Sequence, residues 1–325
     1  MSGRAGAAAT ALLITVAFAS QPLRAGSDTA YYTVTVGRIS VVSIGGAKRC
    51  SRIASKFVRF EGVLRELTGW DSDVELPALK VFLISQKDAD RVLLTDEDKR
   101  SLQEGRKVIY SKFLGGRELN IAAMVDEDGY DDPMQSLFLL YAQSLLVGGP
   151  SRHDPAWYQL GVSNILNGLV IKEDGSVILN RELPFVPDVA NRGKRVDFDL
   201  PQLLAITRTS GLKTQNDWSE FILRARNWAQ FGVLTTPARR AQYRDLAMLI
   251  RQGTPVEEAV NQAFGVPLAQ LTAEYADNRW RREVQFRLPA PATPIAIPEP
   301  AQLDPAAAAD ELGILEARVK HTDRG

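Results

Sequence analysis

The sequence predicts a mixed α and β fold, with a sheet-bearing front part and a helical part behind it. Three observations carry this. Residues 31–36, 38–44 and 79–84 are short runs rich in Val, Ile, Thr and Tyr, the composition of strands. Residues 47–68 and 134–147 are longer and place apolar side chains every three or four positions. From Leu200 onward the long segments keep that helical spacing, over 200–206, 215–234, 237–252, 255–264 and 267–284.

Taken in order, Gly37 and the pair Gly45–Gly46 break the first two strands. In residues 47–68, Ile53, Phe57, Phe60, Val63, Leu64 and Leu67 form one apolar face, and Gly69 stops the helix. Residues 87–106 are highly charged and read as a solvated helical excursion. Residues 107–113 and 118–125 read as two strands joined at Gly115–Gly116. The acidic run Asp126–Asp132 lacks the spacing of a calcium loop. It reads as the cap of the next helix, with Asp132 at the cap and Pro133 in the first turn. That helix, 134–147, is apolar all round and so is expected at the centre of a domain. Gly148–Gly149–Pro150 ends it, a second helix follows over 155–169, and Asp174–Gly175 makes a hairpin of 170–179. Residues 289–305 hold six prolines and should form an extended, semi-rigid linker. Beyond it, Leu312, Leu315 and Val319 mark one side of a short helix that could dock on the body or on a partner. There is no internal repeat.

Composition bounds the function. The chain has 325 residues, 45% apolar and 24% charged, enough for a real core. Lys plus Arg and Asp plus Glu both total 39, so nothing in the totals favours nucleic acid or an anionic membrane surface. Cys50 is the one cysteine, which excludes an internal disulfide. Arg4, the apolar run Ala5–Ala19 and the small residues Ala17, Ala19 and Ala25 read as an export signal over residues 1–25, cut after Ala19 or Ala25. The expected location is periplasmic or secreted. No other run approaches the roughly 20 apolar residues of a membrane-spanning helix, so no span is expected after cleavage.

Several segments together carry a family resemblance. Residues 137–145 read Leu-Phe-Leu-Leu-Tyr-Ala-Gln-Ser-Leu, and residues 155–164 read Pro-Ala-Trp-Tyr-Gln-Leu-Gly-Val-Ser-Asn. Downstream stand Arg226-Asn227-Trp228-Ala229, the segment from Gly253 to Ala263-Phe264-Gly265, and Leu271 to Tyr275. Order and spacing over residues 41–282 resemble the gluzincin metallopeptidases, in particular bacterial peptidase-MA-like domains. The resemblance implies a zincin-like, thermolysin-like front part over 30–180. It places a mixed sheet and a buried former active-site helix there. The helical part of the same unit would cover 181–286, and the linker with its short helix 287–325.

The resemblance also locates what is missing. The family carries H-E-x-x-H on the buried helix and P-x-W-x-x-E-G-x-A-E on the next. Aligned on Leu137-Phe138 and Tyr141-Ala142, the two zinc histidines fall on Leu139 and Gln143 and the general-base glutamate on Leu140. In the second motif Pro155, Trp157 and Gly161 fit, but the glutamates fall on Leu160 and Asn164. Catalytic zinc needs three donors from His, Asp, Glu or Cys and one open position. Leucine offers no lone pair, and the chain has two histidines in all, His153 and His321. No catalytic residue, metal or cofactor is therefore expected. Apolar volume at these places avoids unpaired buried charge, and Gln143 and Asn164 could bond to each other across the old site.

The resulting expectation is a non-catalytic peptidase homologue that binds a peptide, a protein or an envelope component in the former cleft. Tyr141, Gln143 and Trp157 would line that cleft. In active relatives an edge strand pairs with the substrate backbone, and residues 118–125 are the candidate here. Two alternatives stand beside it: a hydrolase using acidic groups such as Asp128, Asp131 and Asp132, and a structural envelope protein. Cys50 with His153 as a thiol nucleophile and base has nothing in chain order to bring it together. Trp157, Trp218, Trp228 and Trp280 read as core rather than as a sugar platform. Oligomeric state and ligand identity are not readable.

Overall fold

A computed structural model describes residues 30–71, 73–104, 111–116, 118–125, 135–180, 199–277 and 285–322. The export signal, Asp126–Asp132 with Pro133, and Trp280 lie outside them. The fold is mixed α and β, with a mixed six-stranded sheet and a second, three-stranded one.

The front begins with a hairpin, β1 (Tyr32–Val36) and β2 (Ile39–Ser43), paired antiparallel from Tyr32↔Ser43 to Val36↔Ile39. Gly37 takes the turn at φ 58°, a backbone region that suits glycine. The helix α1 (Ala47–Thr68) crosses back to β3 (Ala78–Ile84), which lies parallel to β2. Both bounds of α1 are as read from its periodicity, and Gly69 closes it in the left-handed conformation, its N–H on Arg65 O.

Next come two short helices, α2 (Gln86–Val92) and α3 (Asp96–Gln103), where one solvated excursion was expected. The difference is physical. Ser85 caps α2, and Ala89, Val92 and Leu93 are buried, so α2 is a covering helix of the sheet rather than a solvated loop.

The edge of the sheet corrects a second expectation. β4 (Ser111–Leu114) and β5 (Leu119–Val125) are antiparallel, and β5 is also parallel to β3 along its whole length. Strand order is β4-β5-β3-β2-β1-β9. Residues 118–125, taken as the edge, therefore hold an interior strand, and β4 is the edge.

Alternation along the strands divides two apolar faces. Leu79, Val81, Leu83, Ala122 and Met124 face the main core with α1, whereas Val42, Phe82, Ile84, Ile121, Ala123 and Val125 face the opposite layer. Both faces are buried, as parallel strands require. On the main face lies α4 (Gln135–Gly148), held by Phe138, which stacks on Phe60 at 4.6 Å and meets Phe57 edge-on at 5.1 Å. α5 (Ala156–Ile165) follows, then one 3-10 turn and the hairpin β6 (Leu169–Ile171) and β7 (Val177–Asn180).

The helical part runs α6 (Leu200–Ala205), α7 (Gln215–Val233), α8 (Pro237–Arg251), α9 (Val256–Phe264) and α10 (Leu268–Ala276). Asp199 and Thr214 form capping boxes and Thr236 caps α8, each satisfying N–H groups that a helix start leaves open.

The C-terminal segment is more than a tether with a short helix. β8 (Gln285–Leu288) joins the small sheet on β7. Arg59 on α1 pins that sheet, donating to Gly175 O and Pro289 O, both at 2.8 Å. β9 (Ala301–Gln302) then pairs with β1 as Thr33↔Ala301 and Tyr32↔Gln302, and Leu303 N donates to Tyr31 O at 2.9 Å. In that register Leu303 and Ala301 occupy hydrogen-bonded positions. Pro300 and Pro298 would then turn their ring nitrogens outward, away from β1. Proline there removes two outward donors, but Gln302, opposite Tyr32, still turns its N–H outward, so the two-residue β9 leaves a short edge on the β1 side. Last, α11 (Pro305–Thr322) buries Leu312, Leu315 and Val319 in the layer of Phe82 and α2, docking on the body. No described helix is long and apolar enough to cross a membrane.

Candidate functional site

The positions that the family resemblance singles out fall into three environments. Tyr141, Trp157 and Leu160 join the main core. Leu139 is buried at 5% exposure yet belongs to neither core cluster. Leu140 and Gln143 are half-buried, on the side of α4 that also carries Ser144 and the exposed Val147. Spacings of three, four and seven set these four on one stripe.

Two expectations change. Tyr141 and Trp157 are both fully buried and cannot line an open cleft. Large aromatic area at a helix–helix contact goes to packing: Trp157 meets Tyr243 edge-on at 5.4 Å. The Tyr141 hydroxyl donates to Glu61 Oε1, and Glu61 pairs with Arg38 at 2.5 Å. Burial and the neighbouring Glu61 charge both push the Tyr141 phenol far above its ordinary range. The second change concerns Gln143 and Asn164. Asn164 Nδ2 donates to Leu160 O at 2.8 Å, within its own helix. That local acceptor is already in reach through helix geometry, and the cross-helix bond does not form.

α5 is buried along its whole length. Its Gly161 meets α7 so closely that a Cβ there would stand 2.5 Å from Ala225 O. The helices α5 and α7, the latter bearing Arg226-Asn227-Trp228-Ala229, thus form one tight crossing. Arg226 itself is buried, which pushes its guanidinium down to about 10.

Beside the stripe of α4 runs β4. Phe113 points to the α4 side, 6.3 Å from the Tyr141 ring, and Lys112 points to the other, where it pairs with Asp98 at 3.3 Å. Among the described residues β4 has a single strand neighbour, β5, and at four residues it is the longer of the two edge strands of the six-stranded sheet. At its end, Asn120 Oδ1 accepts from Ser144 Oγ at 2.8 Å and from Gly116 N at 3.2 Å. Sequence reading passed over this pair. The available signal was a lone asparagine in the otherwise apolar run Leu119–Val125, faced by a serine in an apolar helix.

Among the described residues no group of three or more His, Cys, Asp or Glu side chains is placed to hold a metal ion. His153 is exposed, with Arg152 Nε donating to its Nε2 at 3.0 Å. Cys50 is fully buried with its thiol directed at Tyr32 O and Val41 O, and burial pushes it up to about 11. A thiolate is the reactive form, so native Cys50 is expected to resist a disulfide reagent at pH 8 and to react fully in denaturant. Rapid labelling of the folded chain would contradict the burial. Because the folded value lies above the unfolded one, the stability that Cys50 contributes is complete below about pH 9. It is lost as pH rises through about 11. Cys50→Ala should flatten that part of an alkaline stability profile.

The chain matches no protein-family model and no curated protein.

Proposed function

We propose that this chain is an exported, non-catalytic relative of the gluzincin peptidases that holds an extended peptide segment against the edge strand β4. The observation that carries the reading is the pairing of an antiparallel edge strand, unpaired on its outer side among the described residues, with a helix that holds leucine and glutamine where the resemblance would put the catalytic residues. Strand addition draws its affinity from main-chain hydrogen bonds and needs no ion. Leu139, Leu140, Gln143 and Leu160 offer no donor set for zinc and no base for water. Of the two edges of the six-stranded sheet, the four-residue β4 offers an added strand more backbone than the two-residue β9. The half-buried stripe Leu140, Gln143, Ser144 and Val147 would receive its side chains on one face. The order of sheet, α1, α4 and α5 supports the zincin-like assignment of the front part.

The burial of Tyr141 and Trp157 favours a second reading, a structural envelope protein without a ligand. One experiment separates the two. The purified chain, stripped with chelator, is passed over an immobilised random octapeptide library and assayed for bound zinc and for peptide cleavage. The proposed function expects peptide capture without zinc and without cleavage. Stoichiometric zinc or metal-dependent proteolysis would overturn it, and failure to capture any peptide would favour the structural reading.

A further inference from the structure

The two faces of the edge strand β4 are built differently. On the α4 side, Phe113 is half-buried, with its ring 6.3 Å from that of Tyr141. One residue past the strand, exposed Gly115 stands beside α4: a Cβ there would sit 3.4 Å from Ser144 Oγ. Residues 113 and 115 therefore meet residues 141 and 144, and α4 follows β4 to its end. Through Ser144 the stripe Leu140, Gln143, Ser144 and Val147 is anchored beside this edge.

That stripe carries no charge. Val147, at 49% exposure, is one of three large apolar side chains exposed among the described residues. A single apolar residue on a surface needs no explanation. Val147 is not single, because half-buried Leu140 lies two turns earlier on the same stripe. On the opposite face of β4, Lys112 turns away from α4 and pairs with Asp98 at 3.3 Å, and both side chains are about a quarter exposed, at 25% and 27%. A strand added outside β4 would thus meet a neutral, largely apolar surface on one face and a hydrated ion pair on the other.

We propose that the segment held at β4 is an alternating strand, with apolar side chains toward α4 at every second position and polar ones on the other face. This rests on strand addition at β4 and names the class of segment that the edge selects. Successive side chains of a strand point to opposite faces, so every second ligand residue meets the stripe. Leu140 and Val147 are seven residues apart, about 10.5 Å along the helix. Ligand residues i, i+2 and i+4 span about 14 Å, so five residues cover the stripe. A charged ligand residue on the α4 side would lose water against Leu140 and Val147 without gaining an ionic partner. A large apolar residue on the other side would strip water from the Lys112–Asp98 pair.

The test uses isotope-labelled full chain and two lysine-flanked octapeptides, acetylated at one end and amidated at the other. In one, Thr and Val alternate. In its isomer they come in pairs, Thr-Thr-Val-Val, so each face carries both equally. Composition and charge are the same. The alternating peptide is expected to shift the β4 backbone amides and to bind about tenfold more tightly, about 1.4 kcal/mol. Val147→Thr keeps the side-chain shape at an exposed site and should reduce that preference about threefold. Met248→Thr, at an exposed apolar residue on α8, should leave it unchanged. Equal affinity for the two peptides, with β4 shifted by both, would overturn the alternation and leave strand addition standing. A preference kept in full by Val147→Thr would overturn the role of the stripe. If neither peptide shifts β4 but a random octapeptide pool blocked at both ends does, the alternation alone fails. No shift at β4 with the peptides or the pool would overturn both proposals.

Discussion

Ending the chain after Asp304, which removes α11, is expected to cost the protein most of its stability. Leu312, Leu315 and Val319 are 4%, 0% and 2% exposed and sit on the face that carries Val42, Phe82, Ile84 and Ile121. Full burial of a Leu or Val side chain contributes roughly 1.5–3 kcal/mol. Three of them lie in the range of about 5–9 kcal/mol, against a whole-domain stability of about 5–15 kcal/mol. The uncovered sheet face would also be a contiguous apolar patch, the kind that drives association. The shortened chain should bind a hydrophobic dye, melt early or aggregate on expression. Leu315→Ala is the milder version and should cost about 2–5 kcal/mol in denaturant unfolding. A truncated chain that melts like the full one would show that the helix is an appendage. The ion pair between Lys80 and Glu311 crosses the same interface, but its partly exposed charges make it a minor contributor.

Gly161→Ala is expected to disrupt the crossing of α5 and α7. The added carbon would meet Ala225 O at 2.5 Å and Ala229 Cβ at 3.0 Å, on the neighbouring helix α7. Neither obstacle is a flexible side-chain end, so α5 and α7 must separate or bend. Overpacking of a filled core costs about 1–3 kcal/mol, and the strain here is transmitted to Trp157 and Trp228, both fully buried. Unfolding of Gly161→Ala in denaturant should show a loss at the upper end of that range with an unchanged slope. Gly62→Ala, on the exposed side of α1 with no close neighbour but the end of Arg59, is the control and should be neutral or slightly stabilising. A neutral result for Gly161→Ala would mean that the two helices are not in contact at this residue.

Local pattern told a great deal about elements and little about their neighbours. The helix α1 was readable because its apolar spacing, its length and its terminal glycine all agree. The capped helices of the second half were readable for similar reasons. Which strand forms the sheet edge had a signal, the continuous apolar run of Leu119–Val125 beside the polar Ser111 and Lys112, but family analogy pointed to the other strand. Strand order is a matter of crossover and not of residue type. The docking of α11 was half visible: Leu312, Leu315 and Val319 announce an apolar side, but the sheet face they cover lies more than 180 residues earlier in the chain.

At the candidate site the same division holds. The neutral residues at 139, 140, 143 and 160 are a sequence fact and remain one. Their surroundings are not. Tyr141 is turned into the core by Phe57, Phe60 and Glu61, the last of these 80 positions away in sequence. Asn164 is claimed by Leu160 O on its own helix, a competition that spacing could have suggested. The bond between Asn120 and Ser144 joins a strand to a helix and has no local signature beyond two polar residues in apolar runs.

Amide hydrogen exchange across residues 111–114 tests the central claim most directly. The chelator-treated full chain is compared with and without the blocked octapeptide pool. Metal-free strand addition predicts slower exchange at β4 in the presence of peptide, with the peptide recovered uncut. Exchange at β4 that peptide leaves unchanged, or that slows only after zinc is restored, would contradict it.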